Sequence, residues 1–139
     1  MAISFIPKAG NVLRCNFAGM RTPEMVKIRP VMIINPKLPY RSELVTLVPL
    51  SGTPPIHNLP FTVRLSRNYY PGGNYDAPQW AKCDMIYNLR IDRLDRFPLK
   101  GRGWEYVTAT ADDLEAVHRG VLAGLGYSAL QIEQIRATQ

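Results

Sequence analysis

Apolar residues in the first half of the chain fall in short runs cut by proline and glycine, the punctuation of a β-rich barrel or sandwich rather than of helices. The runs occupy residues 12–17, 30–34, 44–50 and 61–65. In the first, Val12, Arg14 and Asn16 interleave with Leu13, Cys15 and Phe17, a period of two that turns one face inward. Val31-Met32-Ile33-Ile34 and Val45-Thr46-Leu47-Val48 are almost wholly apolar and rich in β-branched side chains, which predicts central strands covered on both faces. Residues 66–79 break the pattern with Tyr69-Tyr70-Pro71-Gly72-Gly73-Asn74-Tyr75 and predict a loop. A further strand is expected over 80–89, followed by a turn-rich joint over 92–104.

The last third changes period. Thr110 supplies an N-cap hydroxyl before Asp112 and Asp113, acids suited to the positive end of a helix dipole. Leu114, Val117, Val121 and Leu125 then recur at helical spacing, and Gly124 and Gly126 provide the stop. Ser128 with Gln131 three residues on opens a second, short helix to about Arg136. The expectation is one domain over residues 1–139, mainly β with a C-terminal α part: a small barrel over about 10–95 and helices over about 110–137. There is no internal repeat or low-complexity tract.

Composition narrows the function classes. A chain of 139 residues with 46% apolar content can build a core without staples. No apolar run approaches the ~18 residues of a bilayer-spanning helix, and the N-terminus lacks the pattern of a secretory signal, so a cytoplasmic location is expected. The two cysteines, Cys15 and Cys83, are too few for a structural zinc site and read as buried thiols. No metal or other cofactor is expected. The net charge of +6 favours a polyanionic partner at low salt.

No Gly-rich phosphate loop, nucleophile elbow or metalloprotease motif occurs. His118 reads as a solvated helix residue, and His57, in the Pro-rich segment after Ser51, as a loop residue that could carry a proton. Arg29 stands directly before the buried run beginning Pro30-Val31, and Ser51 closes Leu47-Val48-Pro49-Leu50. A guanidinium anchored at one strand end and a hydroxyl at the next could form an oxyanion site, since guanidinium grips phosphate with two donors. Arg21, Lys27, Arg29, Lys37 and Arg41 outnumber Glu24 between residues 21 and 41, which suits a nucleic-acid path. Tyr69, Tyr70 and Tyr75 are candidates for base stacking.

Taken in order, Gly10-Asn11-Val12-Leu13, Asn16-Phe17, Lys27-Ile28-Arg29-Pro30-Val31 and Leu47-Val48-Pro49-Leu50-Ser51 resemble the PemK/MazF family of toxin–antitoxin ribonucleases. Asn58 to Val63, the segment Lys82-Cys83-Asp84-Met85-Ile86, the joint Ile91-Asp92-Arg93-Leu94 and the helix from Asp112 extend the likeness to about Leu125. The resemblance implies an SH3-like barrel of the PemK/MazF/CcdB type, a homodimer and a metal-independent, sequence-selective endoribonuclease acting on single-stranded RNA. It implies attack by the 2′-hydroxyl, leaving a 2′,3′-cyclic phosphate and a 5′-hydroxyl, and inhibition by a cognate antitoxin protein. Arg29 and Ser51 match the family's active-site arginine and hydroxyl residue, while Asp84 and His57 are further candidates for catalysis or RNA contact. Asn11 stands in place of the family's opening aspartate, and Met85 in place of a glutamine. Two other readings remain: a CcdB-like topoisomerase poison without enzymatic activity, and an RNA-binding module of the same fold that does not cleave.

Overall fold

The computed structural model describes residues 3–101 and 103–138. Ten strands and two helices appear among them, in the order β1 (Asn11–Asn16), β2 (Ile28–Ile33), β3 (Leu44–Ser51), β4 (Thr62–Arg64), β5 (Trp80–Lys82), β6 (Tyr87–Arg90), β7 (Leu94–Asp95), β8 (Phe97–Leu99), β9 (Gly103–Glu105), β10 (Val107–Thr108), α1 (Ala111–Gly124) and α2 (Ala129–Ala137). The main sheet runs β10-β1-β2-β3-β5-β4. It curls because two strands share an edge between neighbours: β1 meets β10 at Asn11 and Val12 but β7 at Arg14 and Cys15, and β3 meets β6 over Leu44 to Leu47 but β5 at Leu50 and Ser51. The result is the expected curled, barrel-like sheet with C-terminal helices.

Alternation along β1, β2 and β3 divides two cores. Val12, Met32, Val48, Leu50, Ala81 and Cys83 face α1 together with Val117. Leu13, Cys15, Val31, Ile33, Val45 and Leu47 face the other way, joined by Phe17 and Leu94. The two central runs are therefore covered on both sides, as their unbroken apolar character predicts. At Gly120 α1 packs tightly against the sheet. A Cβ there would meet Val63 Cγ2 at 2.6 Å and Cys83 Sγ at 2.8 Å, so a larger residue forces these side chains or the helix to shift.

Several expectations are corrected. The strand expected over 80–89 is two, because the chain turns after Lys82, with Met85 N–H bonded to the Lys82 carbonyl at 3.1 Å; β5 and β6 then occupy successive stretches of the same β3 edge. The joint over 92–104 contains β7 and the β8–β9 hairpin. Leu125 is exposed at the end of α1 instead of continuing its apolar stripe. His118 is half-buried, its Nε2 lying 2.8 Å from the Ile34 carbonyl oxygen, so the helix face it occupies is seated on the sheet and not in solvent. The caps form as read: Thr110 Oγ1 accepts from Asp113 N–H, and Ser128 and Gln131 make a reciprocal capping box. α2 is tied to α1 by Arg119 with Glu133 and by Arg136 with Glu115. No helix among the described residues is long and apolar enough to cross a membrane.

Candidate functional site

β2 and β3 pair antiparallel with Val31 opposite Pro49, Met32 opposite Val48 and Ile33 opposite Leu47. Two further steps of that register set Arg29 across from Ser51, although the ladder itself stops at Val31. There Arg29 remains paired with Cys15 on β1 while Ser51 turns to Trp80 on β5, so the sheet parts between the two residues. Parity places both on the face away from α1. Arg29 is exposed, and among the described residues its side chain makes one hydrogen bond, a long one of 3.4 Å from Nε to the Val26 carbonyl, which leaves most of the guanidinium's donors open to a ligand. Ser51 is half-buried, and its Oγ accepts from Thr53 N–H at 3.1 Å, an arrangement that leaves the hydroxyl proton free to donate.

The same face continues across β5 and β4. Trp80 pairs with both Ser51 and Arg64, and Lys82 pairs with Thr62, so these side chains lie in a row beyond Ser51. The Arg64 guanidinium carbon sits 5.4 Å from the Trp80 ring centroid. Beside them opens a cleft of about 390 Å³ lined by residues of the Pro-rich segment after Ser51, by Phe61, Trp80 and Lys82, and by both His57 and Asp84. Arg64, Trp80 and Lys82 escaped sequence reasoning. The signal was there in Thr62-Val63-Arg64-Leu65 and Trp80-Ala81-Lys82-Cys83, where Val63, Ala81 and Cys83 go to the α1 core and the intervening polar or aromatic residues go to the opposite face.

The basic stretch between residues 21 and 41 does not stay together. Arg21 and Lys27 are exposed in the β1–β2 loop near Arg29, a loop tied back by Met25 N–H to the Tyr87 hydroxyl at 2.8 Å. Lys37 and Arg41 lie in the β2–β3 connection, beyond the opposite end of β2. Tyr69 is a correction: it is fully buried, and its hydroxyl donates to Asp113 while accepting from Thr110 N–H at 3.2 Å, so its ring is core and unavailable for stacking. Asp113 also accepts from Ser66 N–H and Oγ–H, at 3.1 and 2.6 Å. Tyr70 and Tyr75 are exposed, the first tilted on Phe97 and the second under the Arg67 guanidinium at 3.9 Å. Arg93 braces the chain after β6, donating to the carbonyls of Asn16 and Ala18 at 3.1 and 2.9 Å.

Both cysteines are buried thiols. Burial pushes Cys15 up to about 12 against a smaller opposing pull from Arg93. Burial also raises Cys83 to about 12, with the neighbouring Asp84 carboxylate adding to the rise. Neither supplies a thiolate nucleophile near neutral pH. Among the described residues, no three His, Cys, Asp or Glu side chains gather as a set of metal ligands. What the exposed end of β2 and β3 offers is a guanidinium with donors to spare, a hydroxyl donor and a cleft lined by an imidazole, an ammonium and a carboxylate.

Comparison with known proteins bears on the family and the fold. The family model of PemK-like, MazF-like toxins of type II toxin–antitoxin systems matches residues 8–125. The Escherichia coli K12 protein YifN, itself uncharacterised, is 32% identical over an alignment of 116 residues covering 69% of this chain and 76% of its own. Among solved structures, MazF from Deinococcus radiodurans superposes with a TM-score of 0.63 at 22% identity, over 88% of this chain and 99% of that one. A mycobacterial endoribonuclease in complex with its cognate antitoxin superposes with a TM-score of 0.59 at 18% identity, over 88% and 97% of the two chains. The MazE–MazF complex from Deinococcus radiodurans gives a TM-score of 0.58 at 22% identity, over 89% and 99%.

Proposed function

The chain belongs to the PemK-like, MazF-like toxin family of type II toxin–antitoxin systems, and from that premise we propose that it is a metal-independent endoribonuclease of single-stranded RNA. Single strands suit it because an A-form duplex hides its base edges from side chains. The observation that carries the reading is the register of β2 and β3, which brings Arg29 and Ser51 to one face and one end of the sheet with the guanidinium largely unpartnered. The RNA 2′-oxygen attacks the adjacent phosphorus while its proton passes to a base. The 5′-oxygen then leaves with a proton, giving a 2′,3′-cyclic phosphate and a 5′-hydroxyl. Arg29 meets the charge that grows on the non-bridging oxygens, and Ser51 donates to one of them. His57, in the cleft lining six residues after Ser51, is the proton carrier, since the two ring nitrogens of an imidazole can accept one proton and donate another.

Two partners follow from the same reading. A cognate antitoxin, the partner of the mycobacterial and Deinococcus proteins, lies over the basic face and blocks RNA. A second copy of the chain completes a homodimer. The test is incubation of the purified protein with a long single-stranded RNA in EDTA, followed by mapping of the ends. New 5′-hydroxyl ends are expected, and Arg29→Ala lowers the cleavage rate about 10²- to 10³-fold, the cost of losing one preplaced charge-stabilising donor, without moving the thermal melt. Ser51→Ala lowers it less. RNA left intact by the wild type, or cleavage unchanged in Arg29→Ala, overturns the assignment; intact RNA that still binds identifies the non-cleaving module.

A further inference from the structure

Apart from His57, the lining of the cleft beside Ser51 has no part in the cleavage chemistry. It is lined by the apolar segment Pro54, Pro55 and Ile56, stiffened by its two prolines, and by the Trp80 indole. An indole and a proline-rich apolar segment lining one cleft suit a planar heteroaromatic ring. Arg64 backs the indole at 5.4 Å, which fixes the ring and adds positive charge behind it. Lys82 and Asp84, on opposite sides of Cys83 in the chain, line it as well. An ammonium there meets a phosphate. A carboxylate accepts hydrogen bonds only, so it attracts a base edge bearing an exocyclic amino group and repels one presenting carbonyl oxygens.

We propose that this cleft reads one unpaired, amino-bearing nucleobase of the RNA: the base stacks on Trp80, its amino group donates to Asp84, and the adjoining phosphate meets Lys82. The inference rests on the ribonuclease reading for its substrate, and it names a determinant of that substrate's sequence. The occupant is a nucleotide and not a peptide because the cleft is continuous, through the Ser51–Trp80 pair, with the face carrying Arg29, and because its charges match a base edge followed by a phosphate.

The chain has two tryptophans, so Trp104→Phe leaves Trp80 as the sole indole reporter. In that background the probes are 2′-O-methyl oligonucleotides of adenosine, cytidine and uridine, which bind without being cut. The adenosine or cytidine probe is expected to quench Trp80 fluorescence, with the uridine probe binding at least fivefold more weakly by anisotropy. Asp84→Asn erases that difference, and Trp80→Leu weakens the preferred probe at least tenfold, the scale of one lost stacking contact. Probes that bind with no change in Trp80 fluorescence, that discriminate equally in Asp84→Asn, or that fail to bind at all overturn the proposal. The fluorescence arm uses intact Trp80, so it decides the matter even if Trp80→Leu misfolds. Quenching by probes alongside uncut natural RNA sinks the ribonuclease reading and keeps the subsite; cut RNA with an unresponsive Trp80 does the reverse.

Discussion

Two loops flank the β4–β5 ladder, and they are built on opposite principles. Residues 66–79 carry the tyrosines and the glycine pair, yet this loop is pinned at every turn. Leu65 N–H bonds the Gln79 carbonyl at 2.9 Å, Asn68 N–H the Tyr75 carbonyl at 3.0 Å, and Tyr69 N–H the Gln79 Oε1 at 2.8 Å, while the Tyr69 hydroxyl reaches Asp113 at the start of α1. Residues 52–60 look blander, but every one of them is exposed. They are held by the Thr53 N–H bond to Ser51 Oγ and by prolines, and they wall the cleft beside the candidate site. A loop's residue types therefore do not say which is functional. What decides is whether its side chains find partners inside, and the aromatic loop does: its tyrosine closes a core network and its glycines serve tight backbone turns.

That contrast can be broken in either direction. The largest effect is expected at the anchor: Asp113→Ala leaves the Tyr69 hydroxyl and both Ser66 donors without their acceptor. It should cost about 3 kcal/mol of stability by urea denaturation, because several buried polar groups lose one shared partner. On the open loop the pattern inverts, with His57→Ala keeping stability within about 0.5 kcal/mol while RNA cleavage falls about 10²-fold, the scale of one general acid–base group; undiminished cleavage removes His57 from the proton transfers. Tyr69→Phe keeps the ring and loses only its hydroxyl, so it should cost about 1 kcal/mol and leave cleavage per folded molecule unchanged. A variant as stable as the wild type but unable to cut RNA would return Tyr69 to the substrate.

The smallest effect sits where the two regions meet, at Cys83. Its thiol, raised to about 12 by burial, stays neutral in the folded chain while the unfolded thiol ionises around its ordinary value of 9.0. Stability is thus whole below about pH 9 and is lost as pH climbs from there toward 12. Urea midpoints at pH 8 and pH 10.5 should fall less in Cys83→Ala than in the wild type. At pH 8 a thiol reagent should modify neither cysteine of the native protein, with His57→Ala included, since opening the cleft wall does not uncover the core beneath it.

Much of the fold was legible along the chain. Unbroken β-branched runs specified β2 and β3, period-two alternation specified β1, and Thr110 and Ser128 marked both helix starts, all because these signals are local consequences of backbone geometry and solvation. Arg29 and Ser51 stood out for the same reason, each at a strand end. Residues 80–89 were read as one strand because nothing local says that β3 shares its edge between β5 and β6. Asp113 was read as a helix-dipole acid, and its position does satisfy that rule, but its carboxylate is used by Tyr69 and Ser66, which lie more than forty residues earlier.

The sequence by itself determined which segments extend, which coil and which polar residues end buried strands, because burial periodicity and capping act over a few residues. Only the tertiary structure decided that Arg29 and Ser51 share a face, that Arg64, Trp80 and Lys82 continue it, that Lys37 and Arg41 lie at the far end of β2, and that Tyr69 belongs to the core. Those facts depend on strand register and on which edges the curled sheet joins, and register is set by packing summed over partners distant in the chain.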